Sequence, residues 1–294
     1  MAFWQLTVPS SPDTSEGLTN FLWEQGALGV VEEESPLTPP RLRAFFPDSA
    51  SSTALVSSTQ RYVAGLHALG FPAASGEIEI APLLEEAWAS AWQQSFPPHG
   101  VGRRLWITPP WEERDAPGRV SVIIEPGRAF GTGHHGSTEG CLALLDLVVG
   151  PRPAARALDI GIGTGILAIA AIKLGVERVV GLDVDPDAIA AARTNAARNG
   201  CVEQIEFHLD GPETLRSDVS PFPLILANLL THTHLAFICH YARLAAPGSA
   251  LILGGMLEAE DSSVIAALEP AGFWLRERVV RDGWSALLLE AGSV

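Results

Sequence analysis

The sequence predicts an α/β protein in two parts: a ferredoxin-like α+β domain, then a Rossmann-like parallel sheet. Three observations carry this. Residues 157–185 run strand, glycine turn, helix, strand, and the second strand ends in Asp183. From Ala157 onward, apolar strand patterns keep alternating with helical ones, as a parallel sheet requires. Residues 1–82 follow another order, β-α-β-β-α-β.

In the first part, residues 3–8 (FWQLTV) read as a strand. Residues 13–26 read as a helix, with Asp13 and Glu16 at capping-box spacing and Leu18, Phe21 and Leu22 on one face. Strands are expected at 28–34 and 41–46 across a proline-rich turn. A helix follows over 53–70, stopped at Gly70 with Pro72 beyond, and a last strand at 76–83. Residues 83–98 are expected to form a linker helix carrying Trp88 and Trp92, ended by Pro97 and Pro98. The second domain then spans 99–294. Two strands (103–111 and 120–127) lead into it. The sheet strands are 157–161, 178–183, 204–210, 223–229 and 249–256, and a terminal hairpin turns at Asp282-Gly283.

Chemistry concentrates in the glycine turn. Gly161, Gly163 and Gly165 alternate, and Asp159 lies two residues before them. Glycines so closely spaced suit a backbone pressed against a ligand. The spacing is G-x-G-x-G, where dinucleotide sites usually show G-x-G-x-x-G and meet a pyrophosphate at a helix amino terminus. An acid beside the loop would repel a phosphate but attract a cation. Asp183, 22 residues beyond Gly161, is placed to accept hydrogen bonds from both hydroxyls of a ribose. A nicotinamide site and a turn without a ligand remain the alternatives at this point.

Two further segments flank the turn. Residues 125–138 (EPGRAFGTGHHGST) form a glycine-rich loop before a helix, with Ser137 and Thr138 near the helix start. The pairs His134-His135 and His232/His234 lack partners at metal-ligand spacing, so no metal is expected. Asn228 stands at the end of the fourth parallel strand, where acceptor chemistry is expected in such a sheet. An asparagine that only satisfies backbone groups at a strand end fits the position equally well.

Composition sets bounds. The chain has 294 residues and a formal net charge of −15, divided almost evenly between the two parts. No basic stripe stands out, so nucleic acid is not an expected partner, whereas a basic protein would be attracted. No apolar run reaches membrane-spanning length, and the amino terminus lacks a signal pattern. Cys141, Cys201 and Cys239 are scattered, which suggests burial and a reducing cytoplasm.

The G-x-G-x-G turn resembles motif I of the class I S-adenosylmethionine-dependent methyltransferases. The chain as a whole is similar to the PrmA-type ribosomal protein methyltransferases, which modify large-subunit protein L11. The matching blocks begin with Trp88-x-x-x-Trp92-x-x-x-Phe96-x-Pro98, Arg104-Leu-Trp-Ile-x-Pro-x-Trp111 and Glu125-Pro-Gly-x-Ala-Phe-Gly-Thr-Gly-His-His-x-x-Thr138. They continue with 158–171, Gly181-Leu-Asp-Val-Asp-Pro186, Asn195-Ala-x-x-Asn-Gly200 and Ala227-Asn-Leu229. The resemblance implies a seven-stranded class I methyltransferase sheet and S-adenosylmethionine as cofactor. Contacts are implied from Thr138, Gly161, Asp183 and Asn228, with Asp159, Gly163, Gly165 and the loop Phe130, Gly131, Thr132 and Gly133 beside them. It implies Asn228 as the residue that holds the amine, and methylation of lysine ε-amino and α-amino groups of L11, free or on the ribosome. The first domain would dock that protein, and a monomer is expected. The stretch 32–40 and the weakly matched first domain depart from the pattern and leave the exact protein substrate open. A methyltransferase for another protein, RNA or a small molecule, and a non-catalytic cofactor-binding partner protein, are the alternatives.

Overall fold

The computed structural model describes residues 2–35, 38–72, 76–84, 96–112, 116–127, 129–150, 154–215 and 221–292. Contacts divide the chain into two compact units, Met1–Phe96 and Pro97–Val294. Of the linker helix expected over 83–98, residues 85–95 with Trp88 and Trp92 lie outside the described residues, while Leu83 and Leu84 belong to a strand instead and 96–98 are not helical.

In the first unit the order is β1 (Ala2–Pro9), α1 (Pro12–Glu24), β2 (Gly29–Ser35), β3 (Thr38–Pro47), α2 (Ser52–Ala68) and β4 (Glu79–Leu84). The sheet order is β2-β3-β1-β4, with every neighbouring pair antiparallel. Alternation puts Leu6 and Val8 of β1 and Leu42, Ala44 and Phe46 of β3 into one core. Leu18 and Leu22 of α1 and Leu55 of α2 close it. The start of α1 differs from the expected Asp13–Glu16 box. Thr14 Oγ1 accepts the Ser11 N–H at 3.0 Å, so the cap lies two residues earlier, ahead of Pro12 at the first helical position.

The second unit opens with a small sheet, β5 (His99–Val101), β6 (Leu105–Thr108) and β7 (Val120–Ile123). The expected strands at 103–111 and 120–127 are therefore shorter: a 3₁₀ turn at Pro110–Glu112 ends the first, and the second gives way to loop after Ile123. Then come α3 (Gly136–Val148), β8 (Arg156–Ile160), α4 (Ile166–Lys173), β9 (Arg178–Asp183), α5 (Pro186–Arg198) and β10 (Ile205–Leu209). After them follow β11 (Phe222–Asn228), α6 (Thr231–Leu244), β12 (Ala245–Leu257), α7 (Asp261–Leu268), β13 (Phe273–Arg281) and β14 (Trp284–Ala291).

The large sheet runs β10-β9-β8-β11-β12-β14-β13. Its first five strands are parallel, and the terminal hairpin adds two antiparallel ones. Asp282 and Gly283 both take positive φ, +50° and +77°, the pair a two-residue hairpin turn needs. Strand residues alternate between two apolar layers. Ala157, Val179, Leu224 and Leu226 face one, and Leu158, Val180, Ile225 and Ala227 the other. A sheet buried on both faces has this pattern because helices cover each side. Strand order reverses between β8 and β11, so a crevice opens at the carboxyl ends of these two strands. Cys141 and Cys201 are buried as expected, but Cys239 is exposed on the outer face of α6.

Asn195 of α5 and Asn199, the residue that caps its carboxyl end, fix the approach to that crevice. Asn199 Oδ1 accepts the Ile123 N–H at 2.9 Å, and its Nδ2 donates to the Ile123 carbonyl at 2.7 Å. Asn195 Oδ1 accepts from Glu125 N, and its Nδ2 donates to Thr164 O. Asn199→Ala would leave both Ile123 backbone groups buried and unpaired. We expect a loss of about 2–4 kcal/mol in urea unfolding, since each orphaned buried group costs about 1–3 kcal/mol. A midpoint within error of wild type would contradict this.

Candidate functional site

The site grows from the end of β8. Gly161, Gly163 and Gly165 all have positive φ, and Gly165 caps α4 in the left-handed region. At Gly163 the backbone needs this freedom for two reasons: φ is +52°, and a Cβ would collide with the Phe130 carbonyl oxygen. The glycines therefore make room for another loop as well as for a ligand. That loop is the glycine–histidine segment. Thr164 N donates to Phe130 O at 2.9 Å, and Thr164 Oγ1 donates to Gly131 O at 2.6 Å. A Cβ at Gly131 would come within 2.8 Å of Thr164 Oγ1. Thr164, buried between the glycines, is thus the residue that joins the two loops.

The two acids behave differently. Asp183 is half-buried at the end of β9. Its Oδ2 accepts the Gly163 N–H at 3.0 Å, and its Oδ1 accepts the Asp185 N–H at 3.0 Å. Asp159 is 1 % exposed. Its Oδ2 accepts the Ala168 N–H at 3.1 Å, and Oδ1 has no partner. Burial, with the Asp183 charge adding to it, pushes the Asp159 carboxyl up to about 8.

Asn228 ends β11 opposite Gly254 of β12. Its Nδ2 donates to Ser137 Oγ at 3.3 Å and to Thr138 Oγ1 at 3.2 Å. The amide orientation follows from a chain of donors. His135 caps α3, and its Nδ1 accepts the Ser137 N–H at 3.4 Å. Burial pushes the His135 imidazole down to about 4, so the ring is neutral near pH 7 and Nδ1 keeps its lone pair. Ser137 O–H therefore donates to His135 Nδ1, 2.8 Å away, and its oxygen is left to accept from Asn228. Asn228 Oδ1 then points away, buried and without a partner.

Aromatic groups stand around His135. Trp284 lies 4.6 Å and Phe130 5.4 Å from its ring, both edge-on, and Phe130 is 52 % exposed. On the other side of the loop His99 Nε2 donates to Gly133 O at 3.1 Å, and the His99 and His134 rings are 4.3 Å apart. Burial pulls both imidazoles below the ordinary value. The described residues hold no cluster of three or more His, Cys, Asp and Glu that could bind a metal. No helix among them is long and apolar enough to cross a membrane.

The structure thus brings together Phe130, Gly131, Gly133, Thr138, Asp159, Gly161, Gly163, Gly165, Asp183 and Asn228, all singled out from sequence. Thr132 lies on the same loop. Thr164, Asn195 and His99 were missed as site residues. The first two could have been found as polar residues inside apolar helical or glycine patterns. His99 carries no local signal, because its partner is 34 residues away.

Comparison with known proteins gives the same direction. The family model described as "Ribosomal protein L11 methyltransferase (PrmA)" matches residues 2–291. A ribosomal protein L11 methyltransferase of Azotobacter vinelandii is 36% identical, over 97% of this chain and 97% of that protein. One of Geobacter metallireducens is 37% identical, over 88% and 84%. A crystal structure of a ribosomal protein L11 methylase from Lactobacillus delbrueckii subsp. bulgaricus superposes with a TM-score of 0.59 at 28% identity. It covers 66% of this chain and 98% of that one. A match along nearly the whole length, over a sheet whose switch point carries these loops, leaves one assignment: the chain belongs to the ribosomal protein L11 methyltransferase (PrmA) family.

Proposed function

We propose that this protein transfers methyl groups from S-adenosylmethionine to amino groups of ribosomal protein L11. The observation that carries the reading is Asn228 Oδ1, a buried acceptor held in place and left unpaired at the switch point. Together with Asp159 Oδ1 it makes two unpaired buried oxygens, which suit a ligand that is cationic and rich in N–H donors. S-adenosylmethionine fits the first need and an amine the second. Asp183 has lone pairs beyond those taken by Gly163 and Asp185, and they suit ribose hydroxyls. Gly161, Gly163, Gly165 and the 130–133 loop would form the walls, with Thr138 behind Asn228.

When bound, the cofactor supplies an electrophilic methyl on a sulfonium; the protein supplies position. Asn228 Oδ1 accepts a hydrogen bond from the amine and turns its lone pair toward that methyl. The amine must arrive neutral. For a lysine of ordinary pKa this costs about 4–5 kcal/mol at pH 7, and for an α-amine about 1 kcal/mol. The Asn228–Leu235 segment contains no carboxylate, and the proton is expected to leave to solvent.

The first unit is the proposed docking module for L11, and its acidic surface suits a protein that sits among RNA phosphates. A monomer acting in the cytoplasm is the proposed setting, with the linker segment 83–98 joining the domains. The test offers labelled S-adenosylmethionine to L11, intact ribosomes and bare ribosomal RNA in parallel. Label on L11 is the expected result, and label on RNA alone would overturn the reading.

Cofactor affinity tests the loop contact separately. Gly163→Ala should weaken S-adenosylmethionine binding at least 10-fold, because the new Cβ strains φ and pushes Phe130 O off Thr164. Calorimetric titration measures it, and an unchanged Kd would show that the interlock does not shape the cofactor site.

A further inference from the structure

His234 lies in the first turn of α6 and is wholly buried, and the chemistry described so far does not use it. Its Nε2 is 2.8 Å from Gly254 O, and its Nδ1 is 2.9 Å from the Tyr241 hydroxyl. A carbonyl oxygen can only accept, so Nε2 carries the hydrogen and Nδ1 accepts from Tyr241 O–H. Burial holds the imidazole down at about 4 and raises the Tyr241 phenol, so both stay neutral near pH 7 and the tautomer is fixed.

The carbonyl it grips belongs to the acceptor site. Gly254 O also accepts the Leu229 N–H at 2.9 Å, so its two lone pairs are filled by Leu229 and His234. Gly254 is the register partner of Asn228. A Cβ at Gly254 would lie 3.1 Å from Asn228 Oδ1, so this peptide forms one wall of the pocket around that oxygen. Leu230, the cap residue of α6, has no side chain that can hold the helix start. The His234 side chain caps no amide there; it ties the first turn of α6 to Gly254 of β12.

We propose that His234 is a positioning residue for methyl transfer: clamped between Tyr241 and Gly254, it fixes the Gly254 peptide that sets Asn228 Oδ1. This rests on the proposed role of Asn228. It acts on the aim of the amine and on no ligand directly. The expected signature is a loss in kcat with acceptor KM and cofactor Kd unchanged.

The test uses the full chain with L11 as acceptor. His234→Leu fills the space and removes both hydrogen bonds; kcat should fall about 10-fold, since small misplacement of reacting groups costs this much or more. His234→Gln keeps a donor for Gly254 and an acceptor for Tyr241 and should recover most of the rate. Should His234→Leu fail to fold, Tyr241→Phe frees one end of the clamp and should lower kcat several-fold. Nitrogen-15 NMR of the wild-type imidazole should show the Nε2–H tautomer, independently of activity. Wild-type kcat in folded His234→Leu or in Tyr241→Phe, a glutamine variant no faster than the leucine one, or an Nδ1–H tautomer would each overturn the proposal. An inactive wild-type enzyme on L11 would instead overturn the reading of function.

Discussion

Asn228→Ala should lower kcat for methyl transfer to L11 about 100-fold while the protein stays folded. The size follows from what the residue is proposed to do. An amine that can rotate freely near an electrophile spends little time in line with it, and a positioned acceptor removes that freedom. Loss of one well-placed polar group at a reacting centre costs about 10²–10³ in kcat in comparable sites. Stability should fall by about 1–3 kcal/mol, the cost of one buried polar group left unpaired. Ser137 keeps its bond to His135 Nδ1, but the buried Thr138 hydroxyl loses its Asn228 partner. Asn228→Asp sharpens the test: a carboxylate would attract the amine but stabilise it as an ammonium with no lone pair. Tighter acceptor binding with slower turnover at pH 7, partly relieved at higher pH, is expected. Equal turnover in wild type and alanine variant, measured with saturating cofactor, would remove Asn228 from the mechanism.

The parts of this site that could be read from sequence are those whose geometry is local. Gly161, Gly163, Gly165 and Asp159 lie within seven residues, and a turn between an apolar strand and an apolar helix constrains them strongly. The Asp282-Gly283 turn was legible for the same reason, since two left-handed residues suit few sequences. What escaped depends on distant partners. Thr164 looks like a spacer until the 130–133 loop lies on it. His234, once a metal role is set aside, carries no local signal; its partners turn out to be a phenol seven residues on and a carbonyl twenty residues on. The cap of α1 was misplaced because Ser11 and Thr14 compete with Asp13 and Glu16 for the same role, and Pro12 at the first turn decides between them.

Asp159→Asn should reveal a cost in stability that the native carboxylate imposes. In the unfolded chain an aspartate titrates near 3.9, whereas burial raises Asp159 in the folded protein to about 8. Between these values the folded state holds a proton that the unfolded state has released. The stability due to that proton is fully present below about pH 4 and is lost as pH rises through about 8. The asparagine variant cannot titrate there, so its stability should fall less over pH 5–8 than that of wild type. Each unit of pKa difference corresponds to about 1.4 kcal/mol, so a gap of a few kcal/mol near pH 8 is expected in urea unfolding. Cofactor binding should show the opposite preference. A cation brought beside Asp159 favours its ionised form, so wild-type affinity for S-adenosylmethionine should rise with pH through this range, with proton release on binding. Calorimetry in two buffers of different ionisation enthalpy would detect that proton. In Asp159→Asn the release should vanish and affinity should fall about 10–100-fold, roughly 1.4–2.7 kcal/mol. A variant that binds S-adenosylmethionine as tightly as wild type at pH 8 would show that this carboxylate serves the fold alone. The expected result instead makes Asp159 a group that weakens the empty protein and tightens the loaded one, because the same burial that opposes its charge leaves that charge unscreened for the cofactor.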